Sequence, residues 1–137
     1  MKKILIVGLL IVVALSACSG GASASIQGQW KLISYGTPSE QIPAAPDVET
    51  SIEFKDGQMN GNVGCNGFGG EYTVNGDALE FGPVMSTMMF CEGLVGEQEL
   101  GTLAVLRETA TFVLNGETHT LTITSADGSS MIVLERR

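Results

Sequence analysis

The sequence predicts a mainly β fold, a small antiparallel meander barrel or sandwich of about eight strands with one capping α-helix. Two observations lead to this fold class. Asp-Gly and Asn-Gly dipeptides, which supply the positive φ of tight hairpins, recur between runs of β-type residues. The runs alternate in polarity, as in 119–124, where His119, Leu121 and Ile123 share one face and threonines occupy the other. Hairpins at this regular spacing favour a meander that closes on itself or forms a sandwich.

The expected elements follow the chain in order. Strands are predicted at 30–35, 51–54, 58–63, 71–74, 78–81, 111–114, 118–124 and 130–135, with turns at Asp56-Gly57, Asn75-Gly76, Asn115-Gly116 and Asp127-Gly128. The segment 36–47 carries three prolines, which exclude a central strand and predict the longest loop. The helix is predicted at 97–108, because Leu100, Leu103 and Arg107 recur at helical spacing and acidic residues stand at its start.

The first eighteen residues have the organisation of an export signal. Lys2 and Lys3 precede an apolar run, 4–15, that is too short to span a bilayer core, which needs about 20 apolar residues. The following Leu15-Ser16-Ala17-Cys18 resembles the lipobox read by signal peptidase II. We therefore expect 1–17 to be a lipoprotein signal peptide and Cys18 to carry lipid, with ordinary cleavage as the alternative. Residues 18–25, rich in Ser, Gly and Ala, are expected to be a flexible tether.

Residues 26–137 are long enough for one domain with its own core. Without the two lysines of the signal, five basic residues stand against fifteen acidic ones. Nucleic acid is excluded as a partner by this charge, because phosphate binding depends on clustered Lys and Arg. Anionic charge also disfavours direct contact with anionic lipid, so the lipid on Cys18 is expected to make the membrane contact. We expect a monomer in the cell envelope, facing the periplasm or the cell exterior, with an envelope protein as a candidate partner.

Two cysteines remain once Cys18 is assigned to lipid. Cys65 and Cys91 are expected to form a disulfide, since exported proteins keep such bonds. Closing a loop of about 27 residues contributes about 3.5 kcal/mol on the chain-entropy model. Two free buried thiols and a pair of metal ligands are the alternatives, although two sulfurs without nearby histidines make a poor zinc site.

Several groups of residues have side chains that could bind a metal or take part in catalysis. Met85, Met88 and Met89 have thioethers that suit Cu(I), but methionine is a common core filler and core packing is the expectation. The acids Glu92, Glu97 and Glu99 are expected to be a solvated helix start rather than a carboxylate pair for acid and base work. The single histidine, His119, is expected to be a partly buried strand residue without a nucleophile. We therefore expect no enzyme, no catalytic residue, no metal and no cofactor.

The middle of the chain carries a specific motif. Its parts are Gly64-Cys65-Asn66 with Phe68, Gly70 and Tyr72, then Thr87-Met88-Met89-Phe90-Cys91, then Glu97 before a predicted helix. This constellation resembles the META domain, also called the HslJ-type domain, and the resemblance covers nearly all of 26–137. It implies a compact, mainly β fold on exported bacterial lipoproteins, associated with heat-shock or envelope stress, and it implies no particular reaction.

The glycines of this motif are expected to let the backbone bend, and the aromatic side chains of Phe68 and Tyr72 are expected to be buried. Asn66 is expected to tie down backbone groups rather than bind a ligand. A phosphate loop is disfavoured because no lysine lies near the glycines and no helix follows them. The leading hypothesis is a lipid-anchored, non-enzymatic envelope protein with a binding or stress role. The alternatives are an inhibitor of an extracellular hydrolase, such as a protease or lysozyme, and a carrier of a small apolar ligand.

Overall fold

The structure is a computed structural model and describes residues 25–137. Its elements are β1 (Gly28–Thr37), β2 (Glu40–Pro43), β3 (Ser51–Lys55), β4 (Gln58–Asn62), β5 (Gly67–Asn75), β6 (Ala78–Phe81), β7 (Met85–Ser86), α1 (Gly93–Val105), β8 (Thr109–Asn115), β9 (Thr120–Ser125) and β10 (Met131–Arg136). The expected signal peptide 1–17, Cys18 and the tether up to residue 24 lie outside the described residues.

Eight antiparallel strands form a closed barrel. Neighbouring strands follow the order β1, β3, β4, β5, β6, β8, β9, β10, and β10 pairs back onto β1 along most of its length. Outside this circuit, β2 pairs with the end of β1 and β7 pairs with the start of β5. Closure leaves no unpaired edge between these eight strands, which removes the usual site of strand addition. The predicted fold class is confirmed, a mainly β barrel of about eight strands with one helix in the part of the chain that the structure describes.

The predicted turn dipeptides join the hairpins β3–β4, β5–β6, β8–β9 and β9–β10. In the β3–β4 turn both Asp56 and Gly57 have positive φ, 50° and 78°, as the two-residue turn of a twisted hairpin requires. In the β9–β10 turn the Asp127 carboxylate accepts hydrogen bonds from Ser125 and from the backbone and side chain of Ser129. These bonds lower the pKa of Asp127 to about 2, so the turn keeps its charge throughout the physiological range.

Large apolar side chains fill the inside of the barrel. Those that are fully buried include Trp30, Leu32, Ile52, Phe54, Met59, Leu79, Leu121, Ile123, Ile132 and Leu134. They come from alternate positions of the strands, as a sheet with one buried face requires. Val105 and Leu106, at the end of α1, are also buried in this core. An eight-stranded barrel is just wide enough for such filling, so the interior is a packed core.

The two ends of the barrel differ, and we name them the N-terminal end and the helix end. At the N-terminal end, the side chain of Ile26 is buried, and its backbone carbonyl oxygen accepts a hydrogen bond from Trp30 Nε1 at 2.7 Å. Gly28 pairs there with Phe54, beside the turn between β3 and β4. At the helix end lie the 63–66 loop, the 87–92 segment and α1. The chain therefore enters the barrel at the end opposite the motif residues.

Four local expectations were wrong. The helix begins at Gly93 and ends at Val105, so it is shifted towards the N-terminus and has no acidic residue in its first turn. The 36–47 segment is not one long loop, because it contains a short strand, β2; it holds no central strand, as expected, since β2 pairs among the described residues only with β1. Residues 67–70 belong to β5 instead of a bend, because glycine lets β5 lie close to its neighbours: a Cβ at Gly69 would lie 3.3 Å from the Met59 carbonyl oxygen. His119 lies exposed in the β8–β9 turn with φ 54°, so it is not a strand residue.

Candidate functional site

A buried carboxylate organises the helix end. Glu99, on the second turn of α1, is buried, and its Oε2 accepts hydrogen bonds from the backbone N–H groups of Cys65 at 2.9 Å and Asn66 at 2.8 Å. Its Oε1 accepts a third bond from Asn66 Nδ2 at 2.6 Å. Hydrogen bonds to an ionised acceptor are about twice as strong as neutral ones. Glu99 thereby makes three hydrogen bonds between the helix and the 63–66 loop.

Gly64 lets Glu99 lie close to the 63–66 loop, and Gln98 adds further polar contacts. A Cβ added at Gly64 would lie 2.6 Å from Glu99 Oε2 and 2.9 Å from Glu99 Cβ, so a larger residue would push the carboxylate away from its donors. Next to Glu99, the buried Gln98 donates to the Val63 carbonyl oxygen at 2.5 Å and accepts from the Ala45 N–H at 2.7 Å. The buried face of α1 is therefore joined to the barrel by polar contacts.

Asn66 extends the network to the segment that precedes the helix. Its Oδ1 accepts hydrogen bonds from the Met89 N–H at 2.7 Å and from the Thr87 hydroxyl at 2.8 Å. Its Nδ2, besides contacting Glu99, donates to the Met89 carbonyl oxygen at 3.0 Å. Asn66 thus holds both backbone groups of Met89, the type of contact expected for it from the sequence. The 87–91 segment is positioned through its backbone, which leaves its side chains free to point elsewhere.

A disulfide closes the same cluster. Cys65 and Cys91 are bonded to each other, with their Cα atoms 6.0 Å apart, within the usual range for a disulfide. The predicted bond is confirmed, and the alternatives of two free thiols or two metal-ligating thiolates are wrong. The sulfurs lie within 4.8 Å of a Glu99 carboxylate oxygen. Because both sulfurs are used in the bond, they are unavailable as thiolate ligands.

Large apolar side chains are exposed around this cluster. We define the helix-end apolar surface as Met88, Met89, Phe90, Leu94 and Leu100, each of which is at least 60% exposed. Met85, in β7, is exposed nearby at 78%. The expectation that these methionines pack in the core is therefore wrong. The physical reason is the anchoring by Asn66, which fixes the backbone of the segment outside the barrel, where its side chains meet solvent. A cleft of about 410 Å³ lies between this segment and α1.

Comparison with known proteins identifies the domain. The family model described as the META domain matches residues 24–137. The chain belongs to the META domain family.

Solved structures similar to this META domain support the fold. One, an NMR structure of a protein from Burkholderia xenovorans, is 16% identical, covers 81% of this chain and 82% of its own, and superposes with a TM-score of 0.66. A second NMR structure is 19% identical, covers 80% of this chain and 88% of its own, and gives a TM-score of 0.60. The sequence matches none of the curated proteins with which it was compared.

The remaining motif residues of the META domain lie outside the hydrogen-bond network of Glu99 and Asn66. Phe68 and Tyr72 are buried on β5, and Tyr72 packs edge-on against Phe54 with ring centroids 5.1 Å apart. Burial raises the pKa of the Tyr72 hydroxyl. Gly70 lies against the 82–84 segment, where a Cβ would be 3.0 Å from the Pro83 carbonyl oxygen. Glu97, which the resemblance placed at the start of the helix, is exposed on the second turn and makes no side-chain hydrogen bond among the described residues.

Glu99 and Gln98 are the site residues that sequence reasoning missed. The sequence shows Glu99 as one of three nearby acids, and a helix that begins at residue 97 would place it in a solvated first turn beside Glu97. The expectation of a solvated acid holds for Glu92 and Glu97, which are exposed, and is wrong for Glu99. His119, in the turn after β8, lies at the N-terminal end, away from this network. No helix of the described residues is long and apolar enough to cross a membrane.

Proposed function

We propose that this META-domain protein is a lipid-anchored protein of the cell envelope that acts by binding another envelope protein, without catalysis. The observation that carries the proposal is the helix-end apolar surface. Four of its five residues, Met88, Met89, Phe90 and Leu100, line one cleft, and clustered exposed apolar groups of this kind commonly mark interaction sites. The barrel interior, in contrast, is filled by its own side chains, which disfavours a carrier of small apolar ligands.

The network beneath the surface supports a binding role. Hydrogen bonds of Asn66 and Glu99, together with the Cys65–Cys91 disulfide, hold the 87–91 segment and α1 together. A surface that is fixed before binding loses less conformational entropy when a partner docks. Methionine side chains add adaptability to such a surface, because they are unbranched and polarizable. The cluster therefore acts as a support for the exposed side chains.

The position of the chain entry favours a protein over the anchoring membrane as the occupant. Ile26 is packed at the N-terminal end of the barrel, and the proposed lipid on Cys18 lies only a short tether before it. The expected tether of eight residues, 18–25, reaches about 28 Å when fully extended. The helix-end apolar surface is at the opposite end of the barrel from Ile26, so docking onto the leaflet that holds the lipid would require the domain to turn over on this tether. The anionic charge of the domain further opposes contact with anionic lipid.

The lipid anchor gives the first prediction. The Cys18→Ser variant is expected to leave the membrane fraction once the signal peptide is removed, because the lipobox-like sequence supplies the thiol that carries the lipid. Fractionation of cells and immunoblotting of pellet and supernatant measure this. The matched control is Ser16→Ala, which keeps a small residue before the cysteine. Retention of a processed Cys18→Ser variant, shortened by removal of the signal peptide, in membranes after a high-salt wash would contradict the anchor.

The partner is tested by photo-crosslinking in intact cells. Benzoylphenylalanine at position 90, in the full lipidated chain, is expected to give an adduct with a second protein. The same group at Val113, which is exposed at 68% on β8, is the control and is expected to give none. An adduct with lipid, a dimer of this chain, or no difference between the two positions would each contradict the proposed docking. Identification of the partner as a protease or lysozyme would convert the binding role into inhibition, and a heat-induced partner would support the stress role that the family resemblance implies.

A further inference from the structure

We propose that the helix-end apolar surface is a site of methionine oxidation, at which a peroxide or hypochlorous acid converts Met88 and Met89, together with Met85, to sulfoxides and so releases the bound partner. The release step rests on the proposed function, whereas the selectivity of the oxidation does not. The site is defined by three thioethers within five residues, all of them exposed.

Exposure separates these methionines from the other two in the described residues. Met88 is 96% exposed and Met89 is 60% exposed, whereas Met59 is 1% exposed inside the barrel. Met131, on β10, is half-buried. Oxidation of a thioether requires direct approach of the oxidant to sulfur, so the exposed group reacts first and Met59 is protected. Met59 therefore serves as an internal control for the oxidation of the exposed methionines.

The chemistry is a two-electron oxygen transfer. The sulfur lone pair attacks one oxygen of hydrogen peroxide, a sulfur–oxygen bond forms, the oxygen–oxygen bond breaks, and water leaves after proton transfer. With hypochlorous acid the sulfur lone pair attacks chlorine, a sulfur–chlorine bond forms and the oxygen–chlorine bond breaks with hydroxide leaving. Water then displaces chloride from sulfur and loses two protons, one of which neutralises the hydroxide, so that the net products are the sulfoxide, chloride and one proton. In both cases the thioether is oxidised to a sulfoxide and the oxidant is reduced. The two cysteines of the domain are already joined, so no thiol of the described residues competes for the oxidant.

The fold is built so that this reaction changes the surface without breaking the domain. The 87–91 segment is held by hydrogen bonds from Asn66 to the backbone N–H and carbonyl of Met89 and by the disulfide at Cys91. None of these contacts uses a methionine sulfur. A sulfoxide replaces an apolar, flexible side chain by a polar one, which removes the apolar contact that a partner would bury. Oxidation therefore acts as a chemical off switch for docking.

The first experiment maps oxidation in the full lipidated chain. Isolated envelopes are titrated with hypochlorous acid and, separately, with hydrogen peroxide, and sulfoxides are counted by peptide mass spectrometry. Met88 and Met89 are expected to be oxidised about tenfold faster than Met59, and Met85 faster than Met131. Non-reducing mapping of the same samples is expected to show the Cys65–Cys91 bond intact. Equal rates at Met88 and Met59 would overturn the site.

The second experiment uses a matched pair of triple variants at positions 85, 88 and 89. Replacing all three methionines with leucine keeps the surface apolar but leaves no sulfur to oxidise, and replacing them with glutamine imitates the polarity of the sulfoxide. The docking readout is the protein adduct formed by benzoylphenylalanine at position 90, before and after oxidant. We expect about a tenfold loss of adduct in the natural sequence after oxidation, no loss in the leucine variant and a permanent loss in the glutamine variant.

The outcomes distinguish the switch from the docking itself. Loss of adduct in the leucine variant after oxidant would show that another group is responsible, and persistence of adduct after full sulfoxide formation would show that docking tolerates oxidation. Either result overturns the switch while leaving the proposed function in place. Absence of adduct before any oxidant would contradict the proposed function, and it would overturn the release step while the peptide map still decides the site of oxidation.

Discussion

Replacing Glu99 with alanine is expected to lower the free energy of unfolding by about 3 to 5 kcal/mol, because several buried donors lose their acceptor at once. The Cys65 and Asn66 N–H groups and the Asn66 amide all donate to this carboxylate. The 63–66 loop and α1 are then left with fewer contacts, among them the Gln98–Val63 hydrogen bond and, through the segment before α1, the disulfide, so unfolding of this end is expected to precede that of the barrel. Urea unfolding in a Cys18→Ser background, followed by circular dichroism, measures the loss.

Glu97→Ala is the matched control for this prediction. It removes the same side chain from the same helix, but at an exposed position without side-chain hydrogen bonds, so its effect is expected to stay within about 0.5 kcal/mol. Glu99→Gln tests the role of the carboxylate separately, since one of its two oxygens is replaced by a donor that faces other donors. Equal stability of the Glu97→Ala and Glu99→Ala variants would show that the buried network contributes little to stability.

Removing the disulfide is expected to have the second largest effect. Substitution of both Cys65 and Cys91 with alanine is expected to cost about 2 to 4 kcal/mol while the barrel stays folded, because the unfolded chain loses a closed loop and gains conformational freedom. The bond spans 26 residues and pins the 63–66 loop to the segment before α1. Loss of the bond is therefore expected to loosen the helix end first, which hydrogen exchange of the Met89 amide would detect.

The control for the double variant is the natural sequence treated with a reductant. Reduction and double substitution are expected to give the same loss of stability, since both remove the covalent link and only the second changes the side chains. Thiol alkylation of protein taken directly from the envelope checks the starting state. Two alkylated cysteines in that sample would contradict the disulfide, whatever the stability of the variants.

The sequence by itself determined the fold class and the hairpins. A dipeptide such as Asp56-Gly57 acts locally, because Asp and Gly are among the residues that most readily adopt the positive φ of a two-residue hairpin turn. Alternation along β9 likewise fixes which face is buried, and Leu121 and Ile123 are buried accordingly. The pairing of Cys65 with Cys91 also followed from the sequence, since they are the two cysteines left after Cys18. The family motif added the identity of the domain, which the match over residues 24–137 shows.

Only the tertiary structure decided which side chains of the helix end are buried and which are exposed. Glu92, Glu97 and Glu99 look alike in the sequence, but Glu99 alone is buried against the 63–66 loop, and that depends on where α1 begins and on the absence of a side chain at Gly64. Met85, Met88 and Met89 are exposed, contrary to the expectation from the sequence, for a related reason. Apolar character predicts burial only when the backbone faces the core, and Asn66 holds the Met89 backbone outside the barrel. Local sequence fixes turns and faces, whereas contacts between residues distant in sequence fix which polar group is buried and which apolar group is exposed.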